Sequence, residues 1–218
     1  PCEYCREDGT IGNQVCNPLE VDVIMDTILY DGLGDLAAGY RRYRLYAKIP
    51  EGSIMLGPVA DDVPDPIIPA FGFDAPCGCY NYTSGFVPDG YNNGANINPG
   101  FISLDEELAY DTWWTAHVPQ ITSGTDVIET PGAFPAGFNS CTDEVVQGAI
   151  LATPSDPIHA SVENGRALIG QITTCESFSF KVCVAMHMAS IVTTYCTEGD
   201  VIVPDLCAPF DEVSLSVG

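Results

Sequence analysis

The alternation of apolar and polar residues within short segments is the feature that most limits the fold of this chain. In "YRRYRLYAKI", residues 40–49, one face is apolar and consists of Tyr43, Leu45, Ala47 and Ile49. The other face carries Arg42, Arg44, Tyr46 and Lys48. A period of two residues is typical of a half-buried β-strand, so we expect the basic face of this strand to be solvated.

Seven more segments have β character, and turns rich in Gly and Pro separate them. They are "VDVIMDTILY", "SIMLGPVA", "VVQGAILAT", "GRALIGQITTC", "FSFKVCVAMHM", "SIVTTYC" and "DVIVPDLC". Residues 61–100, rich in Pro, Gly and Asn, are predicted to form a long loop, and "LDEELAYD" (104–111) predicts one helical turn. The sequence therefore predicts an all-β fold, a β-sandwich of jelly-roll or Ig-like type with long loops and little helix.

Ten cysteines indicate that disulfides reinforce this fold. Structural zinc needs paired C-x₂-C clusters, and only Cys2 and Cys5 have that spacing. An oxidising compartment accounts better for so many cysteines, and an even number lets all of them pair. The predicted disulfide residues are Cys2, Cys5, Cys16, Cys77, Cys79, Cys141, Cys175, Cys183, Cys196 and Cys207; their connectivity stays open. Cys77 and Cys79 are expected to hold the long loop in place.

The distribution of these features predicts two parts, a Cys-rich N-terminal arm at 1–18 and a single β-sandwich domain at 19–218. A chain that begins at Pro1, without a signal sequence, is what we expect of a processed secreted protein. No apolar run approaches the roughly 20 residues that span a bilayer, so an integral membrane protein is not expected. We expect a secreted protein, located outside the cell or at its surface.

The chain is strongly acidic, with 7 basic and 30 acidic residues and a net charge of −23. Such a charge repels nucleic acid, which is excluded as a partner. It fits a saline environment, where salt screens the self-repulsion, and it also fits calcium binding. Acidic residues in predicted loops are the candidate calcium ligands, although none has EF-hand spacing; they are Asp61, Asp62, Asp105 and Asp111.

The stretch "LDEELAYDTWWTAHV" (104–118) combines four carboxylates with Trp113 and Trp114. Alternation places Trp114 in an apolar row with Ala116 and Val118, so Trp114 is predicted to lie in the core. Trp113 falls on the other face and is predicted to be exposed. Exposed aromatic rings can stack on sugars, so the candidate carbohydrate-binding residues are Trp113, Tyr80, Tyr82 and Tyr91.

Other motifs narrow the choice of function further. Asn81-Tyr82-Thr83 is an N-glycosylation sequon if the source is eukaryotic. The three histidines, His117, His159 and His187, lack the spacing of metal ligands. No nucleophile or phosphate-loop motif occurs, and acids close together in sequence rarely supply the facing carboxyl pair of a glycosidase. We therefore expect no enzymatic activity.

Three phrases occur in one order, namely "YRLYAKIPEGSIM" (43–55), "LAYDTWWTAHV" (108–118) and "NGRALIGQITTCESFSFKVCV" (164–184). In this respect the chain resembles a secreted β module of surface and extracellular proteins of marine bacteria and microalgae. The resemblance covers roughly residues 21–190 and implies a display or assembly domain, for which no catalytic activity is established. The chain departs from the module in its cysteines 77, 79, 175 and 183 and in Trp114, where the module has Val.

The function expected from these observations is a secreted structural or surface-display protein, a subunit of a filament, fibre or surface layer. Such a homopolymer would assemble by strand or arm exchange, with the arm at 1–18 and the β-prone tail at 201–217 as contacts. The alternative is a carbohydrate-binding module centred on Trp113, with glycans as partners. Calcium is the candidate cofactor of either protein.

Overall fold

The computed structural model describes residues 3–5, 11–13, 17–62, 67–83, 92, 97, 99–116, 127–130, 133–135, 138–152, 165–188, 190–204 and 215–217. The fold is all-β, as the alternation predicts. In chain order the strands are β1 (Glu3–Cys5), β2 (Ile11–Asn13), β3 (Asn17–Pro18), β4 (Val21–Ile28), β5 (Arg41–Lys48), β6 (Ile54–Ala60), β7 (Gly72–Asp74), β8 (Trp113–Trp114), β9 (Val127–Glu129), β10 (Gly148–Ala152), β11 (Arg166–Thr174), β12 (Phe178–Lys181), β13 (Cys183–Met188), β14 (Ile191–Cys196), β15 (Val201–Val203) and β16 (Leu215–Val217). Two short helical segments are present, α1 (Pro99–Ile102) and a 3₁₀ helix (Glu106–Tyr110).

The strands form two large sheets and two small ones. The six-stranded sheet has the order β3-β14-β13-β6-β10-β9, and the five-stranded sheet has the order β16-β4-β5-β11-β8. A three-stranded sheet, β15-β12-β7, and the hairpin β1-β2 complete the list. Every pairing between these strands is antiparallel except that of β3 with β14.

The two large sheets share one hydrophobic core, which is the arrangement of a sandwich. Val23 and Leu45 of the five-stranded sheet belong to the same buried cluster as Met55 and Ile150 of the six-stranded sheet. Gly57 of β6 has no room for a side chain, because an added Cβ would collide with the carbonyl oxygen of Ile150 on the neighbouring strand β10 and lie 2.8 Å from Cβ of Ala116, which follows β8 of the other sheet. Glycine is required at this position both for lack of space and because its φ of +142° is one that other residues rarely adopt.

The predicted strands are present, with two corrections. The segment "FSFKVCVAMHM" is not one strand, because the chain leaves the three-stranded sheet after Lys181 and enters the six-stranded sheet at Cys183. Burial alternates in β12, whereas the first four residues of β13 are all buried, so the alternation in the sequence does not carry over into burial after the break. The long loop predicted at 61–100 contains the short strand β7, and the predicted turn in "LDEELAYD" is the 3₁₀ helix.

The predicted contact segments pair with other strands of the same chain. Asn17 and Pro18, the last residues of the predicted arm, pair with Tyr195 and Cys196. In the predicted assembly tail, β15 pairs with β12, and β16 pairs with β4. Exchange of these strands between subunits would therefore require each one to leave a pairing within its own chain.

Candidate functional site

The stretch 104–111 forms a compact acidic segment above the five-stranded sheet. Asp105 begins the 3₁₀ helix, and its side chain accepts a hydrogen bond from the backbone N–H of Glu107 at 3.2 Å. Leu108 is the buried residue of this helix. A carboxylate at this position satisfies backbone N–H groups that the short helix leaves without partners.

Tyr80 lies beside this segment, in the loop that Cys77 and Cys79 were predicted to hold. Its hydroxyl donates a 2.6 Å hydrogen bond to Glu107, and the same carboxylate oxygen accepts the backbone N–H of Asp35 at 3.0 Å. Burial, followed by the hydrogen bond and the negative charge of Glu107, raises the pKa of Tyr80 well above its ordinary value. The phenol is therefore held neutral, as the donor that an ionised carboxylate requires.

Tyr82 makes two contacts of the same kind. Its hydroxyl donates to Asp105 Oδ2, and its backbone N–H donates to Asp111 Oδ1, each at 2.7 Å. Asp111 is fully buried, and Oδ1 also accepts the N–H of Thr112 at 2.9 Å. Two acids predicted to bind calcium, Asp105 and Asp111, thus accept hydrogen bonds from Tyr82, one of the tyrosines predicted to bind sugar.

The segment is attached to the sheet by Gln171 and Arg42. The buried Gln171 side chain donates from Nε2 to the carbonyl oxygens of Ala109 and Asp111, at 3.1 and 2.7 Å. Arg42 donates from Nη1 to Ala109 at 3.0 Å and lies over the Tyr110 ring. These contacts join residues sixty or more positions apart in the chain, and no local sequence signal indicates them.

The basic face of β5 is consequently covered at Arg42, where it was predicted to be solvated. The Arg42 side chain is only 16% exposed, and its Nε lies 2.7 Å from Asp26, which also pairs with Arg44 at 3.0 Å. Asp26 stands where the pairing of β4 with β5 shifts register, between Met25 and Thr27. The prediction of a solvated face is wrong at Arg42, which residues far along the chain cover, whereas the Lys48 side chain at the other end of the strand is 38% exposed.

Trp113 was predicted to be an exposed residue, and that prediction was also wrong. Its side chain is 2% exposed and belongs to a second hydrophobic cluster with Ile97, Leu108 and Leu168. The alternation was interpreted correctly, because Trp113 and Trp114 do lie on opposite faces of the sheet. The second face, however, is covered by the acidic segment and is not open to a sugar ring.

The remaining predicted site residues are dispersed. Among the residues that the structure describes, no group of three or more His, Cys, Asp or Glu side chains could hold a metal ion. Asp61 and Asp62 lie at the end of β6, where Asp61 forms an isolated bridge with Ile68. Asn81 is half-buried next to Tyr82. Tyr91, His117 and His159 lie outside the described residues.

Three disulfides join cysteines within the described ranges, and two of them hold the Tyr80 loop. Cys77 is bonded to Cys175 at the end of β11, and Cys79 is bonded to Cys141. Cys183 is bonded to Cys196 across β13 and β14. Six of the ten predicted disulfide residues are thus confirmed, together with the prediction that Cys77 and Cys79 fix the loop. Cys5 lies in β1, and Cys2, Cys16 and Cys207 are outside the described residues.

A groove of about 470 Å³ lies on the outer face of the three-stranded sheet. Its polar lining consists of Asp74, Thr142, Glu144, Ser179, Lys181 and Asp200. Lys181 and Glu144 form an ion pair at 2.8 Å. The aromatic residues that line it, Phe73 and Phe180, are buried, so the groove offers no ring face on which a sugar could stack.

The edges of the two large sheets are only partly covered by the described strands. β4 is eight residues long, and β16 pairs with Val21, Asp22 and Val23 alone. β14 is six residues long, and β3 pairs with Tyr195 and Cys196 alone. Within the described part of the chain, the short edge strands β16 and β3 therefore leave part of β4 and part of β14 uncovered.

No protein-family model, curated protein or solved structure matches this chain. Among the described residues there is also no helix with the length and apolar character needed to cross a membrane.

Proposed function

We propose that this chain is an extracellular structural or surface-display subunit, which self-associates through its sheet edges into a filament, fibre or surface layer. The observation that carries the proposal is the partial covering of β4 and β14 by two- and three-residue strands. Exposed edge strands present unpaired backbone N–H and C=O groups. A strand of another chain can add to the sheet by pairing with these groups.

The chemistry of the rest of the chain supports this proposal. Three disulfides fit an oxidising compartment and secretion. A charge of −23 opposes association at low ionic strength and is screened in salt water, so a saline extracellular setting favours assembly. Asp105, Glu107 and Asp111 accept hydrogen bonds within the fold, which supports a structural role for this segment.

The carbohydrate-binding alternative depended on an exposed Trp113. Trp113 is buried, and Tyr80 and Tyr82 donate their hydroxyl hydrogen bonds to Glu107 and Asp105. The described residues thus present none of the predicted sugar-binding rings as a free platform. A glycan array that gave saturable binding would bring this function back.

The proposal is tested by measuring the mass of the native protein against its concentration. Sedimentation equilibrium is performed at low and at high salt, each with and without calcium. We expect the average mass to rise with concentration, and to rise more strongly at high salt. A monomeric mass under all four conditions would exclude self-association. A mass that rises with concentration only when calcium is present would indicate that a bound cation takes part in the contact.

A further inference from the structure

The outer edge of β14 has a part, residues 191–193, with which no strand among the described residues pairs. On its inner side β14 pairs with β13 along its whole length, from Ile191 opposite Met188 to Cys196 opposite Cys183. On its outer side, β3 pairs only with Tyr195 and Cys196, and no other described strand pairs with residues 191–193. This part of the strand therefore offers its backbone to a further strand.

Apolar side chains flank the same backbone. Ile191 is 65% exposed and Val192 is 57% exposed, and Met188 on the neighbouring strand is 43% exposed. Successive residues of a strand point to opposite faces, so apolar surface is exposed on both faces of this end of the sheet. An added strand would cover both side chains as well as the backbone edge.

The features that normally protect an edge strand are missing from β14. Proteins block edges with charged residues, proline, bulges or very short strands. The sequence "IVTTYC" contains neither a charged residue nor proline, and its pairing with β13 runs without a register shift. β9, at the other edge of the same sheet, is by contrast three residues long and ends in Glu129.

A covalent bond fixes the geometry of this edge. The disulfide Cys183–Cys196 joins directly opposed residues at the base of the β13–β14 hairpin. The hairpin is therefore already ordered before a partner binds. Pairing then costs less conformational entropy, which favours binding.

Charge and symmetry identify the partner as a second copy of this chain. Two copies with a charge of −23 repel each other, and they repel least where they meet through an uncharged strip. Antiparallel pairing of one strand with its own copy is self-complementary about a two-fold axis, the commonest symmetry of homo-oligomers. The strip is uncharged, apolar and identical in both copies.

We propose that residues 191–193 form an isologous interface at which β14 of a second copy pairs antiparallel, joining two six-stranded sheets into one. This inference rests on the proposed self-association and names its contact. A polymer would require a second contact elsewhere, such as the edge of β4.

The test uses a double variant that carries both Ile191→Lys and Val192→Lys. Its control is the variant Ile202→Lys. Ile202 is 75% exposed on β15, so the control introduces the same kind of charge at another exposed isoleucine. Sedimentation equilibrium at high salt is expected to show dimerisation weakened about tenfold or more in the double variant, because the contact would then have to bury lysine charges that have no partner. The control should associate as the wild type does.

A charge swap provides a positive result for the same contact. An equal mixture of the double lysine variant with the corresponding double glutamate variant is expected to associate more strongly than either variant alone. Concentration-dependent protection of amides in residues 191–193 from hydrogen exchange, measured on the wild type, tests the contact without any substitution.

The outcomes separate this inference from the proposed function. A double lysine variant that is folded by circular dichroism and associates like the wild type would overturn the β14 contact and leave self-association intact. Amides in 191–193 that exchange equally at low and high concentration would do the same. A wild type that stays monomeric throughout would overturn both.

Discussion

Trp113 and Trp114 are adjacent in the chain, yet they are buried in separate hydrophobic clusters on opposite faces of one sheet. Trp114 stacks on Phe73, with ring centroids 4.1 Å apart, and meets Phe71 edge to face at 5.2 Å. Trp113 packs against the covering segment through Leu108. One strand therefore anchors two layers, the sandwich core below it and the acidic segment above it.

Substitution of either tryptophan by alanine should destabilise the protein, by about 3–5 kcal/mol each, because it removes a large buried ring and leaves a cavity. The free energy of unfolding is measured by denaturant titration with the disulfides intact. Tyr30→Ala is the control, since Tyr30 is 64% exposed and its loss should change stability little. If Trp113→Ala keeps full stability, Trp113 is not a core residue and the interpretation of the second cluster is wrong.

The buried carboxylate of Asp111 should matter more than its acidic neighbours. Asp111→Ala removes the acceptor of the Tyr82 and Thr112 N–H groups and is expected to cost about 2–3 kcal/mol. Asp111→Asn should cost less, because its amide oxygen can still accept. Glu106→Ala is the matched control on the exposed side of the 3₁₀ helix, and it should stay within about 0.5 kcal/mol of the wild type.

The same variants test the predicted calcium site. If Asp111 binds calcium, added calcium should raise the melting temperature of the wild type but not that of Asp111→Asn. We expect no such difference, because Asp111 Oδ1 already accepts the backbone N–H groups of Tyr82 and Thr112.

Tyr80 should make the protein sensitive to alkali. Its pKa is raised above the ordinary value of 10.0, first by burial and then by Glu107, so the folded state retains a proton that the unfolded state loses. The stabilisation is fully present below about pH 10 and declines as the pH rises towards the higher folded-state pKa. Tyr80→Phe should cost about 1–2 kcal/mol at neutral pH, through the lost hydrogen bond, and should show a shallower alkaline decline.

This prediction is measured as the free energy of unfolding across the alkaline range, with Tyr30→Phe as the control for an exposed tyrosine. Equal alkaline slopes for Tyr80→Phe and the wild type would contradict the assigned role of Tyr80.

Local patterns in the sequence predicted the strands correctly. They did not predict which residues cover those strands. Alternation correctly placed Tyr43, Leu45 and Ala47 of β5 in the core, because the side-chain period of a strand is a local property. It could not place the residues of 104–111 above Arg42 and Gln171, because that contact depends on the path of the chain between distant strands.

The acidic segment illustrates the same limit for the candidate site. Four carboxylates close together in the sequence suggested a cation, whereas the structure provides phenol and backbone donors from residues 35, 80 and 82. Which donor an acid meets is decided by tertiary packing. The cysteines were more informative, because their number alone indicated the disulfides, although not the pairs.

The three disulfides should differ in their contribution to stability, according to the chain that each one closes. Sequence separations of 98, 62 and 13 residues apply to Cys77–Cys175, Cys79–Cys141 and Cys183–Cys196. Because longer loops lose more entropy in the unfolded state when they are closed, double serine substitution should cost about 4–5 kcal/mol for the first pair and about 3 kcal/mol for the third.

The cost is measured by thermal and denaturant unfolding, after mass mapping shows that the other disulfides are unchanged. The Cys79–Cys141 pair has a second, local effect, because Cys79 is adjacent to Tyr80. Serine substitution of that pair should loosen the Tyr80–Glu107 contact and flatten the alkaline decline, as Tyr80→Phe does. The Cys183–Cys196 pair serves as the control for this effect, since it lies in the opposite sheet and should leave the alkaline decline unchanged. An unaltered alkaline decline in the Cys79/Cys141 variant would show that the loop keeps Tyr80 in place without its disulfide.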